Sequence, residues 1–528
     1  MAAIDASVLR LMARVRPHRT DRRLANLARL TCLAAITAFY IWTFRLPVTQ
    51  LDDAFISYRY AFNLVHGHGL VFNPGAYVEG YTNLLWTLLI AAGIRLGGEA
   101  EAIGHWLSVI FAAATLLTSY AYAVRLLGQT SRWLALLAPL GLLTSNAFVC
   151  WTTAGLETPL FAWLAISAAL ALAHHRRYAA ALLCVLALMT RPEGALLAAC
   201  LLLYDGCSHF AARRGASFRE RMAGAAGPAL LFAGGLAALT LFRLWYYDDV
   251  VPNTFYAKVG GIPVSRGVFY LRNALVDGPG LLLPGVIVAA VMLPRFRPAA
   301  VFILCNAIYI VAIGGDVFPL GRFLLPALPM MLGGAIAGGF YVLRQRAAAG
   351  LALLALLPAC MAWSLYGAWP QGWGPPDYDF AHARPAQWPH SAKRAAARIH
   401  WIFTADEDAR KHRQITNLRQ LRPPVHVLAL IGIGKLGYWG EDFVILDMVG
   451  LTDRHIARSG KSIAGSFIAP GHSRTDAAYV LSRRPDVIEV PQRGSATLNL
   501  PAIIDMWAQP DLDRLYHFNS LVHAYVRN

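Results

Sequence analysis

The sequence predicts a polytopic α-helical membrane protein of about eleven transmembrane helices, followed by an α/β domain outside the bilayer. Three observations carry this reading. Of 528 residues, 57% are hydrophobic and only 15% are charged, whereas a soluble chain carries about a quarter charged residues. Apolar runs of membrane type recur from residue 24 to residue 369. Beyond residue 376 the composition is that of an ordinary globular domain.

The first run, 24–46, follows a basic tail, residues 1–23, that holds Arg10, Arg14, Arg16, Arg19, Arg22 and Arg23. Basic residues ahead of a first span set the N-terminus in the cytoplasm. The run lies too far from the N-terminus for a removable signal and lacks a small-residue cleavage site, so it reads as an anchor. The net charge of +17 therefore reports orientation in a membrane, and no nucleic-acid partner is expected. Arg213, Arg214, Arg219 and Arg221 repeat the basic signature in a later loop. All seven cysteines lie in or beside apolar runs, none after Cys360 and none in a CxxC pair. That excludes a disulfide framework and thiol chemistry.

Further apolar runs fall near 82–96, 103–124, 133–150, 156–173, 178–190, 193–205, 226–246, 279–294, 299–314, 321–342 and 349–369. If all twelve crossed, both ends of 82–96 would lie outside, because the basic loops at Arg125/Arg132, 174–177, 213–221, Arg295/Arg297 and Arg344/Arg346 all belong inside. Residues 82–96 also rise only about 22 Å against a hydrocarbon core of roughly 30 Å. They are expected to lie on the outer surface as an interfacial helix carrying Trp86. Eleven spans then cross, the C-terminus is extracytoplasmic, and residues 47–102 form one long external loop. The run 178–205 is interrupted at Arg191-Pro192-Glu193, which face the outer side. Residues 370–376 are a Pro/Gly-rich linker. Residues 377–528 form the external domain, with a helix at Ser391–Phe403 and strands at Val425–Leu430, Phe443–Leu446 and Asp486–Val490. The membrane part, 24–369, shows no internal repeat, which argues against an inverted-repeat transporter.

This parity places the unusual polar residues on one face. Asp52, Asp53, Arg59, His66, His68 and Glu79 fall in the first external loop, Glu157 in the second, and Arg191 and Glu193 in the third. Lys258 comes next, and Asp316 and Arg322 follow in a Gly-rich loop. Adjacent carboxylates beside a bilayer repel, and one pKa rises unless a cation or metal relieves the pair. Acids and bases gathered on one face suit a charged lipid headgroup. An arginine fork suits phosphate, and a carboxylate can activate a hydroxyl or coordinate a hard divalent ion such as Mg, Mn or Ca. Each residue also has a plainer role. The acidic pair is a solvated turn, Glu157 answers a helix dipole, and Arg191/Glu193 and Asp316/Arg322 are local ion pairs. His66 and His68 are turn residues, and Gly432-Ile433-Gly434 is a strand-to-helix turn lacking the third glycine of a dinucleotide loop.

The stretches Leu51–Ala61, His66–Gly75 and Val78–Asn83 together resemble the GT-C glycosyltransferases that use polyprenyl-phosphate sugars. Within them the run is similar to the terminal arabinofuranosyltransferases of mycobacterial arabinan and their bacterial relatives. Gly314–Asp316, Gly321–Pro326 and Val444–Asp453 are similar to later blocks of that family. The lipid A aminoarabinose transferases show the same juxtamembrane arrangement. The resemblance implies an enzyme of the bacterial inner membrane. It would transfer arabinofuranose from a polyprenyl-phosphate donor to a cell-envelope glycan or glycoprotein acceptor on the outer side. It implies Asp52 and Asp53 as catalytic acids, Arg59 at the donor phosphate and Glu79 as a supporting acid. On that basis one of Asp52/Asp53 takes the acceptor proton, and the other binds a divalent cation or orders the first. Arg59, Arg191 and Arg322 hold the phosphate, with Glu157, Glu193, His68, Lys258 and Asp316 in support. The external domain is expected to govern acceptor choice and to leave donor binding to the membrane part. The rival reading is a lipid-linked sugar transporter or flippase.

Overall fold

The computed structural model describes residues 19–44, 50–128, 131–258, 264–316, 318, 320–366, 405–463, 471–493 and 500–528. The expected linker 370–376, the helix at 391–403 and most of the basic tail lie outside the described residues.

Among the described residues, five helices are long and apolar enough to cross a bilayer alone: 25–42, 100–127, 194–212, 218–247 and 347–364. Two bent pairs, 134–143 with 146–153 and 264–276 with 279–292, each qualify as one broken span. Shorter apolar helices at Thr158–Ala173, Arg177–Thr190 and Arg297–Ala312, with the buried Leu328–Gln345, complete eleven segments in the expected order. Residues 82–96 form the short helix Leu84–Arg95, packed against the first juxtamembrane helix, Asp52–Val65.

Three boundaries differ from expectation. The run 133–150 breaks by 55° at Ser145, whose side chain caps the second piece by accepting from the Phe148 N–H at 3.4 Å. The helix Val264–Val276 was not foreseen, although its buried Gly267, Tyr270, Asn273 and Ala274 follow helical spacing. The run 321–342 becomes a helix only at Leu328, because residues 320–327 wind through turns that hold Arg322 at the end of the bundle.

The first juxtamembrane helix is fixed to the bundle by its start. Tyr58 Oη donates to Gln50 Oε1 at 2.6 Å and lies 3.0 Å from the Gly155 carbonyl oxygen, and the Leu51 N–H donates to the Ala154 carbonyl at 3.1 Å. Gly155 has φ +76°, and a Cβ there would stand 2.7 Å from both Gln50 Oε1 and Tyr58 Oη, so only glycine fits.

The C-terminal domain is a five-stranded mixed sheet in the order β2-β1-β3-β5-β4. Its strands are β1 (Val427–Leu430), β2 (Val444–Asp447), β3 (Val487–Ile488), β4 (Tyr516–Asn519) and β5 (Ala524–Arg527). The first three are parallel neighbours, and β4–β5 is an antiparallel hairpin that the sequence reading missed. The domain does not hang free. Asn73 lies along edge strand β2, donating to the Ile445 carbonyl at 2.8 Å and accepting its N–H at 3.0 Å, so a side chain covers an otherwise open sheet edge. Tyr60, Leu70 and Phe72 from the first long loop share one hydrophobic cluster with Leu428, Leu430, Ile433 and Leu436.

Candidate active site

Between the bundle and the C-terminal domain lies a cavity of about 790 Å³. The bundle side supplies Asp52, Asp53, Arg191, Glu193, Lys258, Asp316 and Arg322, with Tyr309, Phe318 and Phe323 as apolar wall. Of the residues expected on one face from charge parity, these seven meet around one space.

Asp53 is the open acid of this wall. No described residue hydrogen-bonds its carboxylate. Burial pushes its pKa up to about 6; Arg322 and Lys258 pull it down, while Asp52 and Asp316 push it further up. Lys258 answers from the opposite direction: burial lowers its pKa, and Asp53 only partly restores it. An acid held near neutrality beside two cations suits proton abstraction next to an anionic group.

Asp52 behaves differently. Its Oδ2 accepts the Gly434 N–H at 3.0 Å and its Oδ1 accepts the Lys435 N–H at 2.9 Å. These amides open the helix Gly434–Trp439, directly after the Gly432-Ile433-Gly434 turn that follows β1. Asp52 therefore bonds the C-terminal domain, with both carboxylate oxygens engaged.

Arg322 pairs with Asp316: its Nη2 donates to Oδ1 at 3.0 Å, and its Nε lies 2.6 Å from Oδ2 as an ion-pair contact. Its guanidinium carbon also lies 5.2 Å from the Trp151 ring centre and 5.4 Å from that of Phe323. Arg191 is held between two acids, Nη1 to Glu157 at 2.7 Å and Nη2 to Glu193 at 2.9 Å. Burial alone would lower the Arg191 pKa, but Glu193 and Glu157 outweigh it and raise it. Glu193 is likewise pushed up by burial and held below its ordinary range by Arg191. Asn83 donates to the remaining Glu157 oxygen at 2.8 Å. This buried group is structural at its centre. Arg191 lines the cavity, but two carboxylates already neutralise it, so it is poorly placed for the phosphate role expected of it. Glu157 stands behind Arg191 and outside the lining.

Three expectations are corrected by the geometry. Arg59 is not at the cavity. It is fully buried at the seam, where its Nε donates to the Phe72 carbonyl at 2.7 Å and its Nη2 to the Phe443 carbonyl at 2.8 Å. Its Nη1 donates to the Gly437 carbonyl, leaving no donor turned toward a phosphate. Burial draws its pKa down to about 10. Glu79 is sealed against Arg243, which donates from Nε at 2.8 Å and from Nη2 at 3.1 Å. Burial raises its pKa, with Arg243 as the opposing influence. His68 is exposed in the turn between Gly67 and Gly69, both at positive φ, and does not line the cavity. A divalent ion between Asp52 and Asp53 fares no better. Both Asp52 oxygens are engaged by amides, cations flank Asp53, and no group of three metal-binding side chains occurs among the described residues. The donor set does not fit a metal, and no step below uses one.

The sequence reading also missed residues. Glu407, Lys411, His472 and the turn Ile431–Ile433 of the C-terminal domain line the same cavity. Lys411 pairs with Glu489 at 2.8 Å. A division of labour that leaves the donor site wholly to the membrane part does not match this shared wall. Arg243 also went unnoticed, though a lone arginine near the end of an apolar run is a signal for a buried partner.

A helical membrane bundle with two short juxtamembrane helices, and an acid of the first facing a cavity roofed by an α/β domain, defines the fold: it is that of the GT-C class. Among solved structures, ArnT from Cupriavidus metallidurans bound to undecaprenyl phosphate aligns with a TM-score of 0.51 at 12% identity, covering 81% of this chain and 88% of that one. The apo oligosaccharyltransferase of Archaeoglobus fulgidus gives 0.51 at 12% identity, covering 82% and 65%. By sequence the chain is similar to the terminal beta-(1->2)-arabinofuranosyltransferase of Mycobacterium tuberculosis, 30% identical over 247 residues, 42% of this chain and 37% of that protein. The enzyme of the same name from Corynebacterium glutamicum is 26% identical over 359 residues, 57% and 50% respectively. The chain thus spans half the length of these curated relatives, or less. The family described as Domain of unknown function (DUF8728) matches residues 401–520, within the C-terminal domain.

Proposed function

We propose that the protein is a glycosyltransferase that moves arabinofuranose from a polyprenyl-phosphate donor to a hydroxyl of a cell-envelope glycan or glycoprotein. The single observation that carries this is Asp53, a cavity acid with no hydrogen-bond partner among the described residues and a pKa raised to about 6, which shares the cavity wall with Arg322 and Lys258. In this reading the acceptor hydroxyl gives its proton to Asp53 as its oxygen bonds to the anomeric carbon. The bond from that carbon to the phosphate oxygen breaks, and the polyprenyl phosphate leaves with the electron pair. Arg322 and Lys258 stabilise the charge that gathers on the phosphate. Asp53 then returns its proton to water. Tyr309, Phe318 and Phe323 give the first isoprene units an apolar wall.

The names of the curated relatives support arabinofuranose as the sugar, and the lipid phosphate in the ArnT structure supports the donor class. The N-terminus would lie in the cytoplasm, and the cavity and C-terminal domain on the outer side of the inner membrane. A transporter reading gains nothing from the geometry, because the charged groups gather under a domain at one end of the bundle. The test is to incubate the purified protein with synthetic polyprenyl-phosphoryl arabinofuranose and candidate glycan acceptors. Transfer that is lost in Asp53→Asn is the expected result. Equal turnover by that variant, or transfer only from a different donor class, would overturn the assignment. A single displacement inverts the anomeric centre, so a product of retained configuration would recast Asp53 as a nucleophile.

A further inference from the structure

Asp52 stands next to the proposed base, yet its contacts run to the other half of the molecule. Gly434 and Lys435 lie 382 and 383 residues further along the chain and reach it with two backbone amides. Those amides belong to the first turn of a helix, whose N–H groups have no partner within the helix and need an outside acceptor. The approach is close: a Cβ on Gly434 would overlap the Asp52 carbonyl oxygen, and one on Gly432 would stand 3.6 Å from Asp52 Oδ2. The turn that delivers these amides, Ile431–Ile433, is itself cavity wall. Seven residues separate Asp52 from Arg59, almost two helical turns, so both lie on the face of their helix that meets the C-terminal domain. Arg59 binds the far end of the same short helix, through the carbonyls of Gly437 and Gly440. One face of the juxtamembrane helix thus grips both ends of Gly434–Trp439 with side chains of opposite sign.

We propose that Asp52 is a positioning residue: a clasp that docks the C-terminal domain over the cavity and so sets the surroundings of Asp53, rather than an acid that reacts. This rests on the reading of Asp53 as the base. Opening the clasp would withdraw the Ile431–Ile433 wall and admit water beside Asp53, whose charged neighbours are Arg322, Asp52, Lys258 and Asp316.

The experiment uses the full-length protein in lipid nanodiscs, with Asp52→Ala, Asp52→Asn, Gly434→Ala and Asp53→Asn. Amide hydrogen exchange is followed over residues 431–439, and kcat/KM is followed against pH. Asp52→Ala and Gly434→Ala should each exchange at least about ten-fold faster in that segment, the scale of one lost charge-assisted hydrogen bond. Asp52→Asn keeps one acceptor oxygen and should fall between them and the wild type, while Asp53→Asn should exchange as the wild type does. The acid limb of kcat/KM should move down toward the ordinary carboxylate range in both Asp52→Ala and Gly434→Ala. Gly434→Ala keeps the Asp52 charge, so its shift reports water entry and not the loss of a neighbouring anion. Unchanged exchange in Asp52→Ala would overturn the clasp. So would a loss of turnover in Asp52→Ala as deep as in Asp53→Asn while Gly434→Ala works normally, since that pattern assigns chemistry to Asp52. If no variant and no wild-type protein transfers the pentose, the proposed activity fails, and the exchange data alone still decide the clasp.

Discussion

Arg59, buried, and Arg322, partly buried, lie on the same end of the bundle, and their surroundings differ in kind. At the seam, Arg59 donates to the carbonyls of Phe72, Gly437 and Phe443, and nearby Asp52 accepts two amides. Backbone groups, most of them from the opposite half, answer each charge there. At the cavity, Arg322 has one carboxylate partner and an aromatic surround, and Asp53 has no hydrogen-bonding partner among the described residues. Matched polar groups hold a structure together; a charge left with open valence toward a space is poised for a ligand. The sequence places all four residues in the same category, and only their partners divide them.

The comparison breaks most readily at Asp53. Asp53→Asn should cost at least ~10²-fold in turnover, the usual scale for a lost general base. The same variant should melt at a higher temperature near neutral pH. A carboxyl whose pKa is raised by folding stabilises fully below its unfolded value, near the ordinary aspartate value of 3.8, and loses that contribution as pH rises through about 6. Removing the charge removes the loss. A thermal shift series at several pH values checks the sign. Lower stability near neutral pH would mean that Asp53 is a matched structural acid like Asp52.

Arg59→Ala should act on the seam. It strands several buried carbonyls, at a cost on the order of 3 kcal/mol. The expected outcome is a C-terminal domain cut faster by protease, with donor affinity retained by the protein that remains docked. Arg322→Ala should leave docking intact and weaken donor binding by about 1.5–3 kcal/mol, the scale of a charged hydrogen bond. Calorimetric titration with a polyprenyl-phosphate analogue separates the two. A reversal, with Arg59→Ala binding poorly while docked, would restore the phosphate role that its position after the acidic pair suggested.

What the sequence made legible follows from local and vectorial signals. Charge parity across the spans predicted that residues from five separate loops share one face, and seven of them do meet at the cavity. The run 82–96 forms the short helix Leu84–Arg95 packed on Asp52–Val65, in keeping with the shortness read from the sequence. The partners of Asp52 and Arg59 in the C-terminal domain were not legible, because they are backbone groups nearly four hundred residues away and carry no side-chain signature. Helical spacing held a clue that went unread. Arg59 falls on the face of Asp52 and not of Asp53, while Ile56, one turn beyond Asp53, lines the cavity. The hairpin β4–β5 was missed for a different reason. Its strands carry His517, Asn519 and Arg527, so no apolar run marks them.

The smallest expected effect concerns metal. With both Asp52 oxygens occupied by amides and cations beside Asp53, chelation by EDTA should change turnover by less than about two-fold, where loss of a catalytic metal would abolish it. A steep loss restored by Mg or Mn would mean that Asp52 leaves the seam when substrate binds.

The most direct test of Asp53 as the base is the pH dependence of kcat/KM for transfer from polyprenyl-phosphoryl arabinofuranose. Activity should rise with pH through about 6, as Asp53 loses its proton, and this limb should vanish from the residual activity of Asp53→Asn. A limb that persists unchanged in Asp53→Asn would show that another group carries the proton, and would contradict the account at its centre.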